Sequence, residues 1–75
     1  MKSASEEILG YVQVLVREPE AVTVTQIDGT PTIFEIKSCK DDHAYLITNV
    51  MAIRAIGVMF AGLEDNKFFL KFIVG

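Results

Sequence analysis

Cys39, Asp41, Asp42 and His43 are the densest group of chemically capable side chains in this 75-residue chain. A thiol, two carboxylates and an imidazole this close together suggest either a metal site or a sulfur nucleophile beside a histidine base. Spacings of one and three residues match no zinc pattern. Cys39 and His43 are each the only residue of their type, so neither a cysteine zinc cluster nor an internal disulfide can be built. A Cys-His nucleophile also needs an oxyanion donor, which adjacency in sequence does not supply. The two aspartates have a simpler use as caps at a helix start. The expectation is a chain with no catalytic residue, no metal and no cofactor, hence not an enzyme.

A second constellation is Ile47-Thr48-Asn49-Val50 followed by Arg54, with Lys40 upstream. Asn49 at a helix N-terminus with Arg54 one turn further in could hold a phosphate, because helix starts attract anions. The plainer alternative is an N-cap and a solvated arginine. Lys37, Lys40, Lys67 and Lys71 could form a basic strip, although lysines alternating with apolar residues more often protect a strand edge. A formal charge of -3 and a pI near 4.9 give no general electrostatic hold on RNA or on an anionic membrane. Met51, Met59 and Phe60 read as helix packing, though methionine also suits an adaptable binding surface.

The elements that must position these residues are legible. Ser3-Ala4-Ser5-Glu6 resembles a capping box, and Ile8, Val12, Leu15 and Val16 recur at helical spacing until Pro19. Residues 22–27 and 32–37 alternate as strands around the turn signal Asp28-Gly29-Thr30-Pro31, which predicts an antiparallel hairpin. Asp41 and Asp42 can cap a short helix to about Leu46. Thr48 or Asn49 can cap a longer one to about Ala61, closed by Gly62. Residues 67–74 alternate again as a closing strand, with Phe68, Leu70, Phe72 and Val74 on one face. A strand, two helices and a strand in one sheet make a right-handed crossover with parallel strands. The predicted class is α+β, a single domain over residues 1–75 in the order α-β-β-α-α-β, with a three-stranded mixed sheet and helices on one face. Leu15, Val24, Phe34, Ile36, Ile56, Phe60, Leu70 and Phe72 are the expected core.

No linker, repeat or low-complexity tract interrupts the chain. The acidic start, Ser5-Glu6-Glu7, is unlike a signal peptide, and the apolar stretch around Arg54 falls short of a membrane span, so a reducing cytoplasm is expected and a membrane partner is not. Yet 51% of the residues are hydrophobic and the mean hydropathy is +0.36. A chain this short has little interior in which to hide so much apolar surface. Some of it is therefore expected to face a partner.

The order of elements, the Ser5-Glu6-Glu7-Ile8-Leu9 helix, the Val22-Thr23-Val24 strand before a glycine-bearing hairpin and the Arg54-Ala55-Ile56 segment together resemble the small bacterial KH-domain proteins of type II topology. The resemblance covers nearly the whole chain. It implies a Gly-x-x-Gly loop with a lysine between the two central helices, ahead of an Ala-Lys-Ala-Ile-like segment that Ile53-Arg54-Ala55-Ile56 matches. That alignment puts Ile47, Thr48, Asn49 and Val50 at the loop. Glycines there would let main-chain N–H groups close on a nucleic-acid backbone. Branched Ile47 and Val50 obstruct that approach, and Thr48 supplies no cation.

Two functions follow as expectations. The first is a degenerate KH-like domain that has lost the RNA clamp and works through protein contacts, either with itself as a homodimer or on a larger assembly. Its contact face is the outer side of the sheet, where Phe69, Ile73, Ile27 and Ile33 emerge. The second is a divergent RNA-binding KH protein or RNA chaperone using residues outside the loop, with Asn49, Arg54 and Lys40 as its residual contacts.

Overall fold

The structure, a computed structural model, describes residues 3–75; Met1 and Lys2, included in the single unit expected from sequence, lie outside them. Helix α1 spans Ala4–Leu15. Its start is the expected capping box: the Ser3 hydroxyl accepts from the Glu6 backbone N–H at 3.3 Å, while the Glu6 carboxylate accepts from the Ser3 N–H at 3.0 Å. Those two bonds satisfy donors that a helix start otherwise leaves open. The chain turns extended at Val16, and a single 3-10 turn, Pro19–Ala21, delivers it to the sheet.

Strands β1 (Thr23–Ile27) and β2 (Thr32–Ser38) form the hairpin, joined by a turn with a cis Thr30–Pro31 bond. Helices α2 (Lys40–Thr48) and α3 (Val50–Ala61) follow, set at 72° to each other. Gly62 ends α3 in the left-handed region at φ 68°, and the Leu63 N–H returns to the Gly57 carbonyl at 3.1 Å. A glycine takes that conformation without the clash a Cβ would bring. A 3-10 turn, Asp65–Lys67, leads into β3 (Phe68–Val74).

The sheet order is β1-β2-β3. Central β2 runs antiparallel to β1, with Val24 opposite Ile36, and parallel to β3, with Ile36 opposite Phe72. This is the predicted α+β architecture, α-β-β-α-α-β. All three helices contribute to the covered side: α1 packs on α3 and β1, and α2 packs on β2 and β3. The buried core is Ile8, Val12, Val22, Phe34, Ile36, Leu46, Ile53 and Phe68. Phe34 and Phe68 meet edge to face, with ring centroids 6.0 Å apart at 81°, an arrangement that suits the aromatic quadrupole.

Several expected core positions differ. Leu15, Val24, Leu70 and Phe72 are only partly buried against the core, and Ile56 is half-buried. Phe60 is 63% exposed, because it lies in the last turn of α3, beyond Gly57, the last buried position of that helix. Val74 is exposed at the end of its strand. The aspartates do not cap α2 as expected: Cys39 occupies the N-cap, with no side-chain capping bond, and the helix starts at Lys40.

Candidate protein-contact face

The strand registers decide which outward side chains meet. Ile27 stands opposite Ile33, and Ile33 stands beside Phe69. These three form one apolar row across the whole sheet on the side opposite buried Phe34 and Ile36, since successive side chains alternate between faces. Phe69 is 58% and Ile27 42% exposed, and Ile33, in the middle, is half-buried. The next row on this face is Thr25, Glu35 and Lys71, where the lysine and glutamate pair at 3.6 Å. Thr23, Lys37 and Ile73 make the third row. Ile73 therefore shares the face but lies four residues along β3 from Phe69, roughly 13 Å away. The structure brings Ile27, Ile33 and Phe69 together and sets Ile73 apart behind the ion pair.

Beside that row, a shallow depression of about 600 Å³ opens between the β1–β2 turn, residues 29–32, and Asn66, Lys67 and Phe69. Its walls come from the starts of β2 and β3, which the parallel crossover brings side by side at one end of the sheet. The sequence marked Phe69 but not this depression, because it depends on where the Asp65–Lys67 turn lies relative to the hairpin.

The segment 47–50 is not a loop. Ile47 and Thr48 complete α2, Val50 opens α3, and Asn49 alone joins them. Asn49 faces backward: its amide donates to the Tyr45 carbonyl at 2.9 Å, and the Thr48 hydroxyl donates to the same carbonyl at 2.7 Å. These bonds satisfy the C-terminal end of α2, so Asn49 occupies the N-cap position of α3 as expected but its side chain makes no capping bond there. Lys40 sits at the opposite end of α2, about 13 Å away along nine residues of helix. Arg54 is committed elsewhere. It donates to the Phe68 carbonyl at 3.2 Å, pairs with the Asp65 carboxylate at 3.0 Å, bonds the Asp65 carbonyl and stacks 4.3 Å above the Phe68 ring. The three residues named for nucleic-acid contact do not converge. Arg54 instead ties α3 to the entry of β3.

Of the acidic, thiol and imidazole group, Cys39 and Asp42 stay together while Asp41 and His43 turn elsewhere. His43 Nε2 lies 3.3 Å from the Phe72 carbonyl, and Asp41 is exposed. Asp42 is buried and reaches back to the α1–β1 connection, where its carboxylate accepts from the Arg17 N–H at 3.1 Å and the Glu18 N–H at 3.0 Å. The Cys39 thiol donates to the same carboxylate at 3.2 Å. The Arg17 N–H, followed by the thiol and the Glu18 N–H, outweighs burial and holds the Asp42 carboxyl below its ordinary range. For Cys39, the hydrogen bond from the Asp42 backbone pulls the thiol down, but the Glu18 and Asp42 carboxylates together with burial prevail and push it up. A thiol kept protonated is a poor nucleophile and a poor ligand. Among the described residues, Glu18, Cys39 and Asp42 are the group whose ligand atoms come together, all within 4.8 Å of one another, and their geometry is that of a tether between α2 and the α1–β1 connection.

Helix α3 carries what the sequence assigned to packing. Met51 is 75% and Met59 71% exposed, with exposed Ala55 between them and Val58 alongside. The signal was present: apart from Arg54, Val50-Met51-Ala52-Ile53-Arg54-Ala55-Ile56-Gly57-Val58-Met59-Phe60-Ala61 is apolar around its circumference, a pattern closer to that of a helix covered on all sides than to an amphipathic surface helix. Among the described residues, no single helix is long and apolar enough to cross a membrane.

Comparison with protein-family models, curated proteins and solved structures finds no significant match to this chain.

Proposed function

We propose that this chain is a KH-like domain of type II topology that has given up the loop-based RNA clamp and serves as a non-catalytic protein-contact module, docking a protein on the open face of its sheet. The observation that carries it is the unbroken row Ile27–Ile33–Phe69 across all three strands. A one-sided sheet normally presents polar residues to water. An apolar row spanning every strand, with a depression at its end, offers a partner a place to seat an apolar side chain. Lys67 at the rim of the depression pairs with Glu64 at 3.1 Å and Lys71 in the adjoining row pairs with Glu35, so the row is flanked by side chains whose charges are already matched, as the polar rim of a contact surface is.

The joint between α2 and α3 supports the loss of the clamp. A phosphate clamp needs free main-chain N–H groups and a nearby cation, and here the two helices abut through one residue whose side chain is turned backward. The net charge of -3 supplies no compensating attraction.

Two measurements test the proposal together. Titration with single-stranded RNA at low and physiological salt should show weak binding or none. Affinity purification from the native cells should retain a stoichiometric protein partner that the Phe69→Glu, Ile73→Lys variant loses. Tight RNA binding with no partner dependent on the sheet would replace the protein-contact reading by the RNA-binding one.

A further inference from the structure

We infer that the outer edge of β1 is a self-pairing edge, along which two copies join antiparallel about a two-fold axis at Thr25 and merge their three-stranded sheets into one. The helix-free faces of both copies then lie on one side of the joined sheet, so this pairing leaves the docking surface proposed above open.

The registers fix which backbone groups face outward. The Gly75 N–H donates to the Ser38 carbonyl at 3.0 Å, so the even-numbered residues of β2 turn their backbone groups toward β3 and the odd-numbered ones toward β1. Ile33, Glu35 and Lys37 stand opposite Ile27, Thr25 and Thr23. That leaves the N–H and carbonyl groups of Val24 and Gln26 pointing away from the sheet, because such groups alternate along a strand. On β3 the same alternation turns Phe68, Leu70 and Phe72 outward. There the edge is guarded. Arg54 donates to the Phe68 carbonyl at 3.2 Å, and His43 Nε2 lies 3.3 Å from the Phe72 carbonyl, so α3 and α2 each place a side chain where an added strand would lie.

Among the described residues, β1 has no such guard. Its sequence, Thr-Val-Thr-Gln-Ile, contains neither a charge nor a proline, the residues that blunt an exposed strand edge. Gln26 belongs by alternation to the helix-covered face, yet it is exposed and its amide turns to Asp28 at 2.8 Å. The helix layer stops short of that half of the edge.

A second copy fits what is left open. The two-fold axis at Thr25 sets Val24 against Gln26 of the second copy and Gln26 against its Val24, so every outward N–H and carbonyl of the two residues finds a partner. The depths match as well: Val24 packs against the core under α1, whereas Gln26 is uncovered, and the covered half of one strand meets the uncovered half of the other. Thr25 meets Thr25 at the axis, a favourable cross-strand pair, and no like charges are opposed along the overlap. The joined sheet ends on both sides at a guarded β3, so the assembly closes at two copies.

Sedimentation equilibrium and amide exchange of the full chain from micromolar to millimolar concentration test the pairing. The wild type should rise from a mass of 8.3 kDa to twice that value, and the Val24 and Gln26 amides should become protected in step with it. Gln26→Pro removes an outward N–H that the single copy does not use, so this variant should stay folded and remain monomeric throughout, whereas Gln26→Thr should dimerise like the wild type. Thr25→Cys gives a second readout. Directly opposed residues without mutual hydrogen bonds bring their Cα atoms to about 4.5 Å, within disulfide reach, so Thr25→Cys should oxidise to a covalent dimer, while Lys71→Cys, exposed on guarded β3, should not. Self-pairing is overturned by a monomeric wild type, by a dimer that survives Gln26→Pro, or by protection of the two amides that appears only with a foreign protein. If Gln26→Pro unfolds, the Thr25→Cys result decides. A dimer abolished by Phe69→Glu with Ile73→Lys but not by Gln26→Pro moves self-association to the outer face and refutes the β1 edge alone.

Discussion

Asp42 shows how one side chain can be spent on architecture. Its carboxylate holds the backbone of Arg17 and Glu18 together with the Cys39 thiol, so the ionised form is favoured in the folded chain and its pKa is lowered. The stability this contributes is present above the ordinary carboxylate range and is lost as pH falls through that range toward the folded value. Urea midpoints measured against pH should therefore decline on the acid side, and Asp42→Asn should flatten that decline while lowering the plateau. Asp41→Asn, at an exposed carboxylate, should do neither. Arg54 belongs to the same scale. Arg54→Ala removes two carbonyl contacts, an ion pair and a cation–π contact, and should cost about 1–3 kcal/mol in denaturant titrations without changing RNA affinity. Arg54→Lys should restore little, because an ammonium lacks the planar fork that reaches all of these partners. The sequence could show that these residue types were present. It could not show that Asp42 reaches 24 and 25 residues back along the chain, because that contact exists only once α2 lies across the α1–β1 connection.

Elements were the most legible scale, since capping, alternation and turn residues are local signals. Ser3 and Glu6, the alternating Val-Thr-Val-Thr of β1 and the glycine after α3 each fixed an element near its observed place. What local signals missed was the joint at Asn49, where a side chain able to cap either helix capped the earlier one. That choice makes the α2–α3 junction compact, and it sets up a gain-of-function experiment. Replacing Ile47-Thr48-Asn49-Val50 by Gly-Lys-Asn-Gly frees main-chain N–H groups and adds a cation, so single-stranded RNA affinity should rise measurably. The gain should shrink steeply as salt increases, since it rests on phosphate contact. The glycines should also reduce stability by about 1 kcal/mol each where they replace helical residues. Strong wild-type RNA binding that ignored this replacement would argue that the nucleic-acid surface lies elsewhere on the domain.

At the scale of the whole molecule, the apolar excess in the composition resolves into places. Among the described residues, eight apolar side chains fill the buried core, and much of the remainder stands at the surface, in the Ile27–Ile33–Phe69 row, along α3, and at Val14, Tyr45, Ile47 and Val74. Composition alone could announce the surplus, but only the sheet register and the depth of α3 against α1 could locate it. The distinction between filling and docking residues should be measurable. Phe34→Ala, at a side chain with no exposure, should cost about 3–5 kcal/mol, and Phe72→Ala, at a half-buried position, clearly less. Phe69→Glu with Ile73→Lys should behave in the opposite way. Both positions point away from the helix-covered core, so thermal and urea unfolding should stay close to wild type while partner binding disappears. The glutamate would stand at the apolar row beside Ile33, and a partner closing on it would have to bury that charge unpaired, a desolvation penalty that dominates at the centre of an interface. Phe69→Glu alone should therefore account for most of the loss in a binding titration, with Ile73→Lys alone nearly silent, because Ile73 sits behind the Glu35–Lys71 pair and outside the row. Equal losses from the two single variants would mean that the contact runs the full length of β3, and the row would then be only one end of it.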